Sequence, residues 1–307
     1  MKKIARYDID VASNINSADI LIVFGSDNTV LKALHKLGFK YKVLGISLGS
    51  SAGFLTETTI ENMDIVFEKI EGGRYRIEKC NVIKAIIDDE KTYRAVNDIA
   101  IFPYKSATLM EYELWVDEEF IWRDHADGLI IATPLGSTAY SMSAGGPIIL
   151  SKTNVFALTP VNSLDPSRRP LIIPSESIIE LMNIKSRVSV EAVIDGIDRI
   201  KVNESISISK NSSIISFIKI EGISPIHSRL YRKVKLAEEL IEMPPSAKLV
   251  FKVLEYEGPL TQKDIVEKTL LSPRTVRYAL NILGKRGLIK DIPNLRDVRQ
   301  KLYYTNI

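Results

Sequence analysis

The chain has 307 residues, 45% hydrophobic and 26% charged, with 41 Lys/Arg against 38 Asp/Glu for a net charge of +3. That is the composition of a globular protein in water, with two or three domains expected from length. No apolar run approaches the roughly 18 residues of a membrane span, and no apolar core follows Met1-Lys2-Lys3 as a secretory signal requires.

One cysteine, Cys80, excludes an internal disulfide and a Cys-based metal cluster, and its ordinary role is that of a small strand hydrophobe. The cytoplasm is the expected compartment, with no membrane partner. Scarce Gln (Gln262 and Gln300) beside abundant Ile, Lys and Glu leans toward a thermophilic source. The charge is uneven. Residues 246–307 hold twelve Lys/Arg and six Asp/Glu, so this tail is +6 and the preceding 245 residues are −3. A basic tail on a mildly acidic body suggests a polyanionic partner for the tail.

In chain order, Ile20 to Phe24 is a short buried-type strand, and Val30 to Leu37 has helical spacing closed by Gly38. Lys42 to Ile46 is the next strand and Ile60 to Ile70 the next helix, an alternation that favours a parallel α/β sheet. From Tyr75 the pattern turns to strands. They are predicted over 76–88, 91–102, 108–116, 119–122, 155–159, 171–173, 178–181, 187–194, 200–206 and 213–220. Short strands between turn signals argue for a sandwich-like β domain.

Met243-Pro244-Pro245 is a linker that ends a helical segment over 233–241. Ser246 is a candidate cap for a helix to Tyr256, and Gly258-Pro259 is a break. Thr261 and Asp264 form a near capping box for a short helix to about Thr269. Ser272 as cap and Pro273 at the first helical position start a third helix, which ends at Arg286 before Gly287. Strands at 288–290 and 301–304 then make a hairpin. The expected divisions are an α/β domain over 1–74, a β-rich domain over 75–232, a helical linker over 233–245 and a small module over 246–307.

The densest chemistry lies between Asp127 and Pro147, DGLIIATPLGSTAYSMSAGGP. An apolar run stops at Thr133-Pro134 and gives way to a turn rich in small hydroxylated residues. Small residues let a ligand approach the main chain, hydroxyls bond phosphates or riboses, and Tyr140 offers a flat face. No G-x-G-x-x-G follows the first strand and no Walker A sequence is present, so neither a Rossmann dehydrogenase nor a P-loop is indicated.

This segment resembles the signature of the NAD kinase family, DGL-x-x-[ST]-T-P-T-G-S-T-A-Y-x-x-S-A-G-G-P. Gly25-Ser26-Asp27-Asn28-Thr29 stands where the family has GGDGT, GISLGSSAGFL from Gly45 resembles its G-[IV]-N-x-G-x-L-G-F-L segment, and Asn97-Asp98 stands at its Asn-acidic pair. The resemblance covers roughly residues 18 to 230. It implies an α/β domain followed by a β-rich, sandwich-like domain of the NAD kinase type, with a nucleotide site between them.

By resemblance, Asp27 is the candidate base near the adenosine-ribose 2′-hydroxyl, within a loop of Gly25, Ser26, Asn28 and Thr29. A turn-forming Asp after a strand is the plainer alternative. Asn97 and Asp98 would bond ribose hydroxyls, a carboxylate acting as acceptor. Thr138, Ala139 and Tyr140 would lie along base and ribose, with Ser143 nearby, while Ser137 and Ser141 hold local backbone. Asp127 would reach a nucleotide from a neighbouring subunit. Asp195-Gly196 resembles the family's Asp-Gly-Gln, with Ile197 third.

Departures stand beside these matches. Ser26 and Asn28 replace two glycines, positions that serve positive φ or close backbone approach to phosphate; Asn28 could supply left-handed geometry. Leu135 replaces a small hydroxylated residue, Asn162-Ser163 falls where the family often has Pro-His, and only about seventeen residues precede the first strand.

The terminal module resembles a winged helix-turn-helix. Ser272, Arg274, Thr275, Arg277 and Tyr278 lie near the start of its third helix, where such modules meet base edges of double-stranded DNA. Lys285, Arg286, Lys290, Arg296 and Arg299 could contact phosphates. A dimerisation module that binds only protein is the alternative. A homodimer or homotetramer is expected.

Two functions fit this sequence. The one it favours is a transcriptional regulator in which NAD or NADP, bound to a kinase-like scaffold, modulates operator affinity. The alternative is an active NAD kinase using ATP or polyphosphate, with Mg²⁺ needed only in that case.

Overall fold

The computed structural model describes residues 12, 14–49, 51–105, 107–222, 226–294 and 300–305. The chain forms two units, one of Met1–Ala33, Val43–Ile77 and Ile218–Ile307, the other of Leu34–Lys42 and Glu78–Phe217.

In the first unit β1 (Ile20–Phe24) leads through Gly25 into α1 (Asp27–Leu37), whose C-terminal residues from Leu34 on belong to the second unit. Next come β2 (Lys42–Ser47), β3 (Thr56–Thr59) and α2 (Met63–Glu71). The β2–β3 pair is parallel, with Gly45 opposite Thr56 and Ile46 opposite Thr58. Leu44, Ile46, Val66, Ile218 and Ile220 form the apolar core here.

β3 is a strand the sequence pattern does not show. Its residues, Thr-Glu-Thr-Thr, are all buried; polar partners of Thr56, Glu57 and Thr59 offset part of the cost, while Thr58 Oγ1 is buried without a hydrogen-bond partner among the described residues. Glu57 pairs with Lys219 at 3.2 Å and accepts from the Ile220 N–H at 3.0 Å.

The second unit is a sandwich. Its strands are β4 (Tyr75–Ile87), β5 (Lys91–Ala95), β6 (Asp98–Pro103), β7 (Met110–Val116), β8 (Glu119–Ala126) and β9 (Gly128–Ala132). After the short helix α3 (Tyr140–Ser143) come β10 (Val155–Val161), β11 (Leu171–Pro174), β12 (Ile179–Ser186), β13 (Val190–Ile194), β14 (Asp198–Val202) and β15 (Ile206–Ile220); β4 up to Ile77 and β15 from Ile218 belong to the first unit. One sheet runs β15-β12-β7-β8 with the β4–β5 hairpin on β15; the other runs β11-β10-β9-β6-β13-β14. Alternate residues of both sheets, among them Ile83, Ile99, Tyr112, Leu129, Phe156 and Ile208, form one apolar core.

Several strand boundaries differ from those expected, with 119–122 extending to Ala126 and 213–220 beginning at Ile206, and carboxylates account for two of the differences. The strand expected over 91–102 is broken at Val96-Asn97 by bonds to Asp195. The strand expected over 200–206 stops at Val202, because Asp88 takes the N–H groups of Asn203, Glu204 and Ser205. Burial pushes the Asp88 carboxyl up, but these backbone donors outweigh it and hold it below the usual carboxylate value.

The C-terminal module comprises α4 (Ile226–Ile241), α5 (Pro245–Glu257), β16 (Leu260–Thr261), α6 (Gln262–Thr269), α7 (Pro273–Lys285), β17 (Ile289–Pro293) and β18 (Lys301–Thr305). The three strands pair in the order β16-β18-β17. The capping box is formed, with Thr261 Oγ1 accepting from the Asp264 N–H and Asp264 Oδ2 accepting from the Thr261 N–H at 2.9 Å. Ser272 caps α7 through the Thr275 N–H, with Pro273 at its first position.

One cap is corrected: α5 starts at Pro245 with Pro244 as cap, and Ser246 lies inside the helix. Proline suits a first helical position because no partner exists there for an N–H. α4 begins seven residues before the expected 233, and its Leu236 and Leu240 pack into the module's core with Phe251, Val276, Leu280 and Leu283.

Candidate functional site

Asp27 is the first residue of α1, where a helix N-terminus favours a negative charge. Its carboxylate is held by the segment after Gly53. Oδ2 accepts from the Phe54 N–H at 2.7 Å; Oδ1 accepts from Leu55 N at 3.1 Å, Thr56 N at 3.0 Å and Thr56 Oγ1 at 3.2 Å. Thr56 Oγ1 in turn accepts from the Gly53 N–H at 2.6 Å. A side chain at 53 would overlap the Asp27 carboxylate, so the loop needs glycine there. A carboxylate offers about four lone-pair sites. Three of the four donors fall on Oδ1, which leaves Oδ2 with capacity for a further proton or hydroxyl.

Around it, the Gly25 N–H bonds the Ile46 carbonyl at 2.9 Å, and the Ser26 N–H bonds Thr29 Oγ1 at 3.2 Å. Neither Ser26 nor Asn28 has positive φ, and Asn28 lies in the first turn of α1. The expected left-handed Asn28 is therefore not found. A right-handed helical residue there needs no glycine, so this departure from the glycine loop leaves the backbone path intact.

In the second unit Asp195 sits at φ +50° in the turn after β13, beside Gly196 at φ +68°. Its carboxylate accepts from three successive N–H groups, Val96 at 2.7 Å, Asn97 at 2.7 Å and Asp98 at 3.1 Å, and from His35 Nε2 at 2.8 Å. The Asp195 N–H returns a bond to the Asp98 carbonyl at 3.0 Å. Asp98 itself is buried. Burial first, and the nearby Asp195 charge second, push its carboxyl up to about 8, against a bond from the Tyr140 N–H that favours the ionised form. A neutral Asp98 can donate as well as accept, which extends the acceptor-only role expected of it.

The signature turn is held by its own hydroxyls. Thr133 Oγ1 donates to the Val96 carbonyl at 2.7 Å and accepts from the Gly136 N–H at 3.0 Å. Ser137 Oγ donates to Pro134 O and accepts from Ile149 N; Thr138 Oγ1 donates to Leu135 O at 3.1 Å; Ser141 Oγ bonds Thr159 Oγ1 at 3.1 Å. Gly136 lies against the Asn97 carbonyl so closely that no Cβ fits. What this leaves outward is little: Tyr140, 43% exposed and tilted 34° against Phe102, with Ala139 half-buried and Ser143 exposed. Asp127 accepts from Asn162 Nδ2 at 2.8 Å, and Ser163 Oγ bonds Asp124 at 2.6 Å, so the Asn-Ser pair is engaged in the fold.

On α7, Val276, Ala279, Leu280 and Leu283 are buried. Ser272, Arg274, Arg277, Tyr278, Lys285, Arg286 and Lys290 are exposed, and Thr275 is half-buried. Arg286 lies 3.8 Å from Glu242. Arg296 and Arg299 fall outside the described residues.

Residues 7–75 match the family model for the ATP-NAD kinase N-terminal domain, and 96–220 that for the ATP-NAD kinase C-terminal domain. The NAD kinase of Methanothermobacter thermautotrophicus is 34% identical over 228 residues, 73% of this chain and 77% of that protein. This chain belongs to the NAD kinase family. The NAD kinase of Sulfurimonas denitrificans is 32% identical over 212 residues, 67% of this chain and 74% of that protein. Among solved structures, an NAD kinase from Archaeoglobus fulgidus in complex with ATP aligns with TM-score 0.65 and 26% identity, covering 76% of this chain and 92% of that one. Yeast NADH kinase complexed with NADH aligns with TM-score 0.63 and 28% identity, covering 74% and 67%. Residues 247–290 match a model for winged helix-turn-helix DNA-binding domains, so this member of the NAD kinase family carries a winged-helix module.

Sequence reasoning named Asp27, Asn97, Asp98 and Asp195 but missed two residues that hold them, Thr56 and His35. Thr56 lies in the polar run of β3, and only its place one residue after GFL hints at a role. His35 looks like any residue in the last turn of an amphipathic helix. No helix among the described residues is long and apolar enough to cross a membrane. No group of three or more His, Cys, Asp or Glu that could hold a metal occurs among them either.

Proposed function

We propose that this chain is a working NAD kinase, transferring a phosphoryl group to the adenosine-ribose 2′-hydroxyl of an NAD-type dinucleotide, with a DNA-binding winged helix attached. The observation that carries it is the placement of Asp27. Its carboxylate is fixed by four donors at a helix N-terminus, with Oδ2 still able to accept. A base so placed orients the hydroxyl and takes its proton as the ribose oxygen bonds the terminal phosphorus of the donor. The bond from that phosphorus to its bridging oxygen breaks, and the shortened donor leaves. Asn97 and Asp98 would bind ribose hydroxyls and Tyr140 would stack.

Mg²⁺, when bound with the donor, would supply charge neutralisation. It would be held largely by phosphate oxygens and water, the usual mode for this ion. ATP as donor is favoured by the match to the ATP-NAD kinase domains and by the likeness to the Archaeoglobus NAD kinase in complex with ATP; polyphosphate is the alternative donor.

The sequence favours the regulator, and two findings shift the balance. Asn28 sits in ordinary helical backbone, and relatives at 32–34% identity are NAD kinases. The regulator reading keeps one specific support, the exposed Arg274, Arg277 and Tyr278 on α7. On that reading the dinucleotide alters DNA affinity by favouring one arrangement of the modules in a homo-oligomer.

The test is NADP formation from NAD, Mg²⁺ and either ATP or polyphosphate, in the parent and in Asp27→Asn. Turnover in the parent that falls about 100-fold or more in the variant, with dinucleotide affinity retained, is the expected result. A parent that binds NAD without turnover would replace the kinase with the sensor.

A further inference from the structure

We propose that His35 is a positioning residue of the dinucleotide site, acting through Asp195 on the backbone of Asn97 and Asp98. The inference rests on the reading that Asn97 and Asp98 bind the dinucleotide; it does not require kinase turnover.

β5 and β6 would be one strand but for the residues between them. There three consecutive N–H groups turn toward one carboxylate instead of a neighbouring strand. Asp195 thus sets the path of the segment that presents the Asn97 side chain and the Asp98 carboxyl, and its own N–H clamps the Asp98 carbonyl. It does so from φ +50°, a conformation that costs a non-glycine residue energy and persists where surrounding bonds enforce it.

The Asp195 side chain is 0% exposed. A buried carboxylate is tolerated when its lone pairs are filled. Three sites are filled by the segment it holds, and the fourth by His35 Nε2 at 2.8 Å. Because the carboxylate only accepts, Nε2 carries the hydrogen.

His35 is itself fixed. It sits in the last turn of α1, where a positive group is favoured. Its ring meets Phe39 edge-on, with centroids 6.0 Å apart and planes at 81°, and the Arg94 guanidinium lies 5.0 Å over the Phe39 ring. Nδ1 faces Asp198 at 3.9 Å. The donor therefore comes from a different element than the segment it steadies. Without it, Asp195 Oδ2 keeps only the Val96 N–H, and the turn that shapes the ribose-binding segment loses its outer support.

The experiment compares the full chain with His35→Phe, which keeps a ring against Phe39 but has no donor, and His35→Gln, whose amide N–H can reach Asp195. Binding of NAD and NADP is measured by calorimetry, with melting temperature recorded alongside. Removing a charge-assisted bond should weaken binding roughly tenfold or more in His35→Phe, while His35→Gln stays within about threefold of the parent. Should the Phe variant fail to fold, His35→Asn, too short to reach Asp195, must show the same loss.

Equal affinity in the folded Phe or Asn variant would overturn the proposal, as would a Gln variant as weak as they are. Those results would leave His35 as packing alone. A folded parent that binds neither dinucleotide would overturn the underlying reading, and this inference with it.

Discussion

The signature turn from Thr133 to Gly146 and the helix α7 both consist of short sequences rich in small, polar or basic residues, yet they use them in opposite senses. In the turn, the hydroxyls of Thr133, Ser137, Thr138 and Ser141 all bond neighbouring protein groups. On the proposed reading a dinucleotide would meet backbone, Tyr140 and the carboxyl of Asp98 there. On α7 the apolar face is buried and Arg274, Arg277 and Tyr278 point outward. A small-molecule site gains from groups locked in place before the ligand arrives. A DNA-reading helix needs long side chains free to reach base edges and phosphates.

The sharpest test of this contrast is one substitution made in both places. Gly136→Ala forces a methyl into the Asn97 backbone and should destabilise the protein by about 3 kcal/mol or more, since overpacking against main chain has no easy relief. Gly284→Ala on α7 meets no atom within 4 Å and should stabilise by about 0.5–1 kcal/mol through helix propensity. Urea unfolding of the two variants reads both signs. Similar effects would break the comparison.

Next in size, Arg274→Ala or Arg277→Ala should each cost about 1–3 kcal/mol in affinity for the cognate double-stranded DNA while dinucleotide affinity stays unchanged. Binding to labelled fragments selected by the parent protein, across salt concentrations, measures this. Unaltered DNA affinity would return α7 to a protein-binding role.

The last test reads a slope rather than a single value. Asp98, raised to about 8 from an ordinary 3.8, binds a proton in the folded state that the unfolded chain has released. Its contribution to stability is therefore full below pH 4, declines as pH rises, and is lost by about pH 8. Melting temperatures between pH 5 and 9 should fall less steeply in Asp98→Asn than in the parent. Parallel curves would remove Asp98 as a buried neutral acid in the unliganded protein.

Much of the molecule follows from local chemistry. The caps at Thr261 and Ser272, the proline opening α7, the hairpin of β17 and β18, and the strand-ending Asp195-Gly196 are each decided by a few adjacent residues, so the sequence displays them. The ordered motifs likewise place Asp27, Asn97, Asp98 and Tyr140 in one family's pattern.

What only the tertiary structure decided depends on residues far apart in the chain. A run such as Thr-Glu-Thr-Thr carries no apolar signal, and becomes a buried strand because Asp27 and Lys219 supply its partners. The break between β5 and β6 is set by a carboxylate about a hundred residues away, and His35 gains a role from the same carboxylate. Periodicity reports which faces are apolar. Where a buried polar group finds its partner is settled by packing, because the cost of leaving it unpaired is met only once distant segments meet.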